Sequence, residues 1–194
     1  MGAHPLWEGY EGLKDYPAAT TASSRDAQQV STKQKTGRFF SWLVNSLKPK
    51  EIVEIGGAYG VSGMYWCAGL KANGTGNFTS FEPNEVWGKI AEANIQSVLE
   101  RGRLVTGPFE ENQDKAPSEI DLAFIDAIHT PEFVEPQLNL VLERANPGAL
   151  IVLDDIEFSK PMLDYWKDLR KDPRFAAAFE LTSRVGVLEL AKHH

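Results

Sequence analysis

Five carboxylates in this chain stand at or beside the ends of apolar runs: Glu54 in EIVEIGG, Glu82 in FTSFEP, Asp126 in LAFIDA, and Asp154 and Asp155 in LIVLDDI. Such runs read as strands buried on both faces, and in an open parallel sheet ligands sit beyond the carboxyl ends of the strands. Acidic groups gathered there can accept hydrogen bonds from hydroxyls, hold a cation or take up a proton. Between the first two lies the turn Gly56, Gly57, Ala58, Tyr59, Gly60, whose glycines let main-chain N–H groups approach a ligand that a Cβ atom would hold off. Glu82 follows Gly60 by 22 residues, and a carboxylate about 20 residues beyond a glycine turn commonly accepts hydrogen bonds from both hydroxyls of a ribose. A nucleoside ligand is implied. The turn departs from the dinucleotide pattern G-x-G-x-x-G, so a nicotinamide seat fits it less well.

Strands and helices must alternate to bring those ends together. Thr36 to Leu47 sets Phe39, Phe40, Leu43, Val44 and Leu47 at helical spacing before Pro49, Ile52 to Ile55 is the first strand, and Val61 to Leu70 the helix after the turn. Phe78 to Glu82 is a strand, and Asn84 to Arg101 a helix expected to turn Val86, Ile90, Ala93, Ile95 and Leu99 inward. Arg103 to Thr106 and Leu122 to Asp126 are further strands. Thr130 and Pro131 then open a helix expected to run to Ala145, where Asn146, Pro147 and Gly148 halt it. Ala149 to Leu153 is the fifth strand, and Met162 to Leu169 a helix ended by Asp172 and Pro173. Phe179 to Thr182 and Arg184 to Leu190, with a short link, read as an antiparallel pair appended to the parallel sheet. The expected class is therefore α/β, a doubly wound and mostly parallel sheet with a C-terminal antiparallel hairpin. Trp42 is expected in the core.

At 194 residues and 42% hydrophobic content the chain suits one domain, residues 25–194, preceded by an irregular arm, residues 1–24, with Trp7, Tyr10 and Tyr16 as anchors. The arm reads as surface packing, a subunit contact in a homo-oligomer, or a flap over the site; His4 reads as one of its exposed residues. A formal charge of −7 with dispersed Lys and Arg removes the electrostatic basis for nucleic-acid binding. The single cysteine, Cys67, falls in an apolar helix and suits a buried thiol in a reducing, cytoplasmic setting. No leader and no long apolar run is evident, so no membrane partner is expected and the Asn73 and Asn77 sequons are expected to be silent. His193 and His194 carry no role.

Taken together, EIGGAYGVSG, FEPN, GPFEEN, FIDAIH and LIVLDDI, in this order between about Val30 and Asp155, resemble the class I S-adenosylmethionine-dependent methyltransferases, in particular the small catechol-type and sugar-modifying O-methyltransferases. The resemblance implies a seven-stranded Rossmann-like sheet and S-adenosylmethionine as cofactor. It implies that Glu54, Gly56, Gly57, Ala58, Tyr59, Gly60 and Ser62 seat the methionine end, Ser62 holding its carboxylate. Glu82 and Pro83 would meet the ribose, and Gly107, Pro108 and Phe109 would lie near the adenine, with Asp126 also touching the cofactor. Ala58 replaces the middle glycine of the commonest version. Asp126, Asp154 and Asp155 match the family's divalent-metal ligands, Asp155 standing where catechol-type members more often place asparagine. His129 occupies the place of their catalytic lysine. Tyr59, Trp66, Trp87 and Phe109 read as core or adenine-wall residues.

Methyl transfer from a sulfonium is an in-line displacement, so the protein mainly aligns donor and acceptor and helps the acceptor hydroxyl lose its proton. Oxygen ligands favour a hard ion, Mg²⁺ first, which would lower the pKa of a bound hydroxyl. With a reference pKa of about 6.5, His129 can take that proton near neutral pH. Asp154 and Asp155 can both ligate only if the chain turns between them, since neighbours on an extended strand point to opposite faces; otherwise one of them caps the next helix, and His129 is only a helix-entry residue. The expected function is methyl transfer to a hydroxyl of a small molecule. A metal-free O- or N-methyltransferase, a non-catalytic cofactor-binding or interaction module and, more remotely, a nicotinamide oxidoreductase stand beside it.

Overall fold

The computed structural model describes residues 4–5 and 24–192. The readings of Trp7, Tyr10 and Tyr16 as anchors, of His4 as exposed and of His193 and His194 as inert lie outside what is described; of the arm itself, His4–Pro5 pairs antiparallel with Ser24–Arg25.

The remaining strands are β1 (Glu51–Ile55), β2 (Asn77–Glu82), β3 (Gly102–Thr106), β4 (Ile120–Ile125), β5 (Ala145–Leu153), β6 (Phe175–Glu180) and β7 (Gly186–Leu190). The helices are α1 (Ala27–Val30), α2 (Gln34–Leu47), α3 (Val61–Asn73), α4 (Glu85–Val98), α5 (Pro131–Leu142) and α6 (Lys160–Leu169). The strands form one seven-stranded sheet in the order β3-β2-β1-β4-β5-β7-β6. β1 to β5 run parallel, and β7 runs antiparallel to both β5 and β6. This is the expected doubly wound sheet with its hairpin.

Alternate residues of the central strands feed two cores. Val53, Ala123 and Ile151 face one with Leu138 of α5 and Trp166 of α6; Ile52, Leu122 and Val152 face the other with Phe40 of α2, Trp66 of α3 and Ile95 of α4. Burial of both faces is what makes the strand sequences apolar runs. Asp121 fastens the amino ends, its carboxylate accepting from the N–H groups of Lys50 (2.6 Å) and Glu51 (3.1 Å) and from the Asn146 side chain (2.8 Å). Cys67 is buried, as expected, and burial pushes its thiol up to about 12.

Several expectations are corrected. Trp42 is 60% exposed and Leu47 50% exposed. Trp42 lies two residues from Phe40, hence on the far side of α2, because each residue turns the helix by about 100°. In α4 the inward side is Trp87, Gly88, Ala91 and Ile95, and Ala93 is exposed. The helix is rotated because Trp87 stacks on Tyr59, ring centroids 4.9 Å apart, and Ala91 packs on Gly60. α5 stops at Leu142, and β5 absorbs Asn146, Pro147 and Gly148, its start held by the Asn146 bond to Asp121. β6 begins four residues earlier than expected, since Ala176 to Ala178 carry no strand signal of their own and are recruited by pairing with β7. Residues 181–185 therefore form the link, closed by the Leu181 N–H bond to the Val185 carbonyl at 2.8 Å.

Candidate active site

Sheet order reverses between β1 and β4, and the carboxyl ends of β1, β2, β4 and β5 border a cavity of about 680 Å³. The turn after β1 approaches it through positive φ angles at Gly56 (94°), Ala58 (43°) and Gly60 (78°). A Cβ on Gly56 would fall 2.1 Å from the Asp126 carbonyl oxygen, so only glycine lets β1 and β4 close at this point. The N–H groups of Gly56 and Gly57 reach back to the Phe81 carbonyl at 2.9 and 3.3 Å.

Glu82 is bound to the same turn. Its Oε2 accepts from Ala58 N–H at 2.6 Å and its Oε1 from Asn84 N–H at 2.8 Å, while Asn84 caps α4 through Val86 and Trp87 N–H. Burial pushes its carboxyl up to about 7, partly offset by the Asn84 and Ala58 donors. Each oxygen keeps a lone pair for a further donor.

Gly56, Ala58, Glu82, Pro83, Pro108 and Phe109 line the cavity, as do Asp126, His129, Asp154 and Asp155. Glu54, Gly57, Tyr59, Gly60, Ser62 and Gly107 do not line it. Glu54 is fully buried; Ser80 Oγ donates to its Oε2 at 2.7 Å, and burial pushes its carboxyl up to about 7. Tyr59 is buried against Trp87, and Gly107 N–H donates to the Glu82 carbonyl at 3.0 Å. Trp66 does not line the cavity but packs against Phe40 and Phe124, which do.

At the tips of β4 and β5 the charges crowd. His129 Nε2 is 3.7 Å from Asp126 Oδ1 and 3.5 Å from Asp155 Oδ2. Asp155 takes φ 50°, so the chain does turn there and both carboxylates reach one cation, Arg184: Nε to Asp155 Oδ1 at 2.6 Å and Nη2 to Asp154 Oδ2 at 3.2 Å. Burial and the neighbouring Asp154, Glu54 and Asp155 hold the Asp126 carboxyl well above the usual range. Burial lowers the His129 imidazole, against the pull of Asp155 and Asp154.

A divalent ion, as the family resemblance implies, would need these carboxylate oxygens. Arg184 already engages one oxygen of each of Asp154 and Asp155, and among the described residues no three His, Cys, Asp or Glu side chains converge as a metal's ligands. In this arrangement the donors fit a guanidinium and do not fit an ion.

A family model described as a methyltransferase domain matches residues 53–156, more than half of the chain and the whole stretch from the first turn to Asp155. The chain belongs to this methyltransferase family. The chain is 26% identical over 144 residues to a catechol O-methyltransferase of Mycobacterium tuberculosis, covering 72% of this chain and 64% of that protein. It is 25% identical over 149 residues to an uncharacterized protein, y4gI, of Sinorhizobium fredii, covering 69% of this chain but 16% of that protein. The chain thus spans less than two thirds of either relative. A solved O-methyltransferase from Bacillus cereus in complex with SAH superposes with a TM-score of 0.70 at 18% identity, covering 96% of this chain and 98% of that one, which shows a shared fold.

Sequence reasoning missed several residues of the cavity. Gln28, Thr32 and Thr36, around α1 and the start of α2, line it, as do Glu110, Gln137, Phe158 and Arg184. Gln137 Nε2 donates to Glu110 Oε1 at 2.8 Å, leaving Glu110 Oε2 and Gln137 Oε1 buried without partners. The glutamine sits on the buried stripe of α5, an unusual place for a polar residue and the one signal available in the sequence. Phe158, 53% exposed, tilts over His129 with ring centroids 5.5 Å apart.

Proposed function

We propose that this methyltransferase moves the methyl group of S-adenosylmethionine to a hydroxyl of a small molecule. The observation that carries the reading is Glu82, a buried carboxylate held by one main-chain donor of the glycine turn, Ala58, and one at the cap of α4, Asn84, and lining a cavity of about 680 Å³, within the usual range for small-ligand sites of roughly 300–1,000 Å³. Its spare lone pairs suit two ribose hydroxyls. Phe109, Glu110 and Gln137 line the same cavity and suit the adenine end of the cofactor. The relative named as a catechol O-methyltransferase and the O-methyltransferase solved with SAH support the same cofactor and chemistry.

The acceptor would lie at the other end, beside His129 and Phe158, which both line the cavity. S-adenosylmethionine, when bound, would supply the methyl group, its sulfur keeping the electron pair of the broken carbon–sulfur bond, and His129 Nε2 would take the proton of the acceptor hydroxyl. Burial favours the neutral imidazole, ready to take a proton, and the neighbouring Asp155 and Asp154 carboxylates stabilise the imidazolium that forms. Of the metal-assisted and metal-free versions, the engagement of Asp154 and Asp155 by Arg184 favours the second.

Calorimetry with S-adenosylhomocysteine and transfer of labelled methyl to a panel of catechols, phenols, sugars and other hydroxyl compounds test this. Glu82→Ala should lose at least about tenfold in cofactor affinity. His129→Ala should keep that affinity and lose on the order of 10²-fold or more in kcat. Unaltered affinity in the Glu82 variant would remove the proposal's footing.

A further inference from the structure

Arg184 lies on the link between β6 and β7, and its main chain is pinned beside the acidic tips from two directions. Its N–H donates to Thr182 Oγ1 at 3.2 Å, and its carbonyl accepts from the N–H of Ile156, the residue after Asp155, at 3.0 Å. The guanidinium therefore starts from a fixed point when it bridges Asp155 at 2.6 Å and Asp154 at 3.2 Å. Asp155 in turn divides its oxygens between the arginine and His129, Oδ1 to the first and Oδ2 to the second. An arginine is always charged, and its planar fork matches carboxylates that a hard divalent ion would otherwise collect.

We propose that Arg184 is the resident cation of the acceptor end, a positioning residue that holds Asp154 and Asp155 against His129 and occupies the place of a divalent ion, so that methyl transfer runs without a metal. The inference rests on the function proposed above and deepens it. It assigns no bond-making to the guanidinium, which acts through Asp155 on the group that takes the acceptor's proton. It also gives the carboxylate pair a reason to lie close together in a site with few other positive charges.

Electron paramagnetic resonance of aqueous Mn²⁺ tests the inference with no acceptor and no turnover, so its failure is separate from failure of the methyl-transfer reading. The wild-type protein should leave the Mn²⁺ signal unchanged, and in activity assays a chelator should leave its turnover unchanged. Arg184→Gln, which removes the cation and leaves the carboxylates unpaired, should bind Mn²⁺ at least about tenfold more tightly than wild type, whereas Arg184→Lys should behave as wild type. Thermal melts and S-adenosylhomocysteine affinity check that each variant is folded. Sequestration of Mn²⁺ by the wild type, or chelator-sensitive turnover restored by Mg²⁺, overturns the proposal without any variant being needed. So does a folded Arg184→Gln protein that binds Mn²⁺ no better than wild type.

Discussion

Glu82 shows how one side chain links a turn, a helix cap and a ligand. Burial raises its pKa to about 7 in the free protein, while the Ala58 and Asn84 donors restrain the rise. Ribose hydroxyls would donate to the ionised form, so a bound nucleoside should lower that pKa and binding should release a proton when the free group is protonated. The sign follows: affinity for S-adenosylhomocysteine is weaker at pH 6, where the carboxyl must first ionise, and rises to a plateau above pH 8. Calorimetry in buffers of different ionisation heat reads both the affinity and the proton release, and Glu82→Gln should flatten the trend. Binding that weakens over the same interval would assign the carboxylate another role. Glu82 and the three aspartates were legible because an acidic residue ending an apolar run is a strand tip. Arg184 was not, because nothing in the pattern TSRVG tells a hairpin link that reaches the site from one that faces solvent.

Elements were legible wherever one signal dominated. The parallel strands are buried on both faces and so appear as apolar runs, and their parallel direction followed from the alternation with helices. What the sequence did not convey was which way a helix turns once it meets a neighbour. α4 presents Trp87, Gly88 and Ala91 because the glycine turn is the surface it packs on, and that surface exists only after β1 and β2 have paired. Gly60 is the point of contact: a Cβ there would lie 2.8 Å from Ala91 Cα, and its φ of 78° is one that side chains rarely adopt. Gly60→Ala combines the clash with the strain and should destabilise the fold by roughly 2–4 kcal/mol. It should also shift α4 and its cap Asn84 enough to weaken cofactor binding. Urea denaturation measures the first effect and calorimetry the second; a variant as stable as wild type would mean that α4 does not rest on the turn.

Across the whole molecule, the sheet gathers acids that the chain keeps far apart, and burying them costs stability that a ligand can restore. Glu54 and Glu82 both have folded pKa values of about 7, raised from the ordinary 4.5 chiefly by burial. Between those values the folded state holds more protons than the unfolded chain, so stability falls as pH rises. The contribution of these two groups is whole below about pH 4.5, declines through the interval and is lost above about pH 7. Two groups shifted this far amount to on the order of a few kcal/mol, enough to move a melting temperature by several degrees. The ligand-free protein should therefore melt at a higher temperature near pH 5.5 than near pH 8, and Glu54→Gln, which keeps the shape and removes the charge, should narrow the difference. S-adenosylhomocysteine should narrow it further from the alkaline side, because it stabilises the ionised Glu82 that the empty cavity leaves poorly solvated. Melting curves from pH 5 to pH 8.5, with and without ligand, distinguish this from a general effect of the net charge of −7, since self-repulsion would not respond to a neutral substitution at a single buried position any more than at an exposed glutamate such as Glu85.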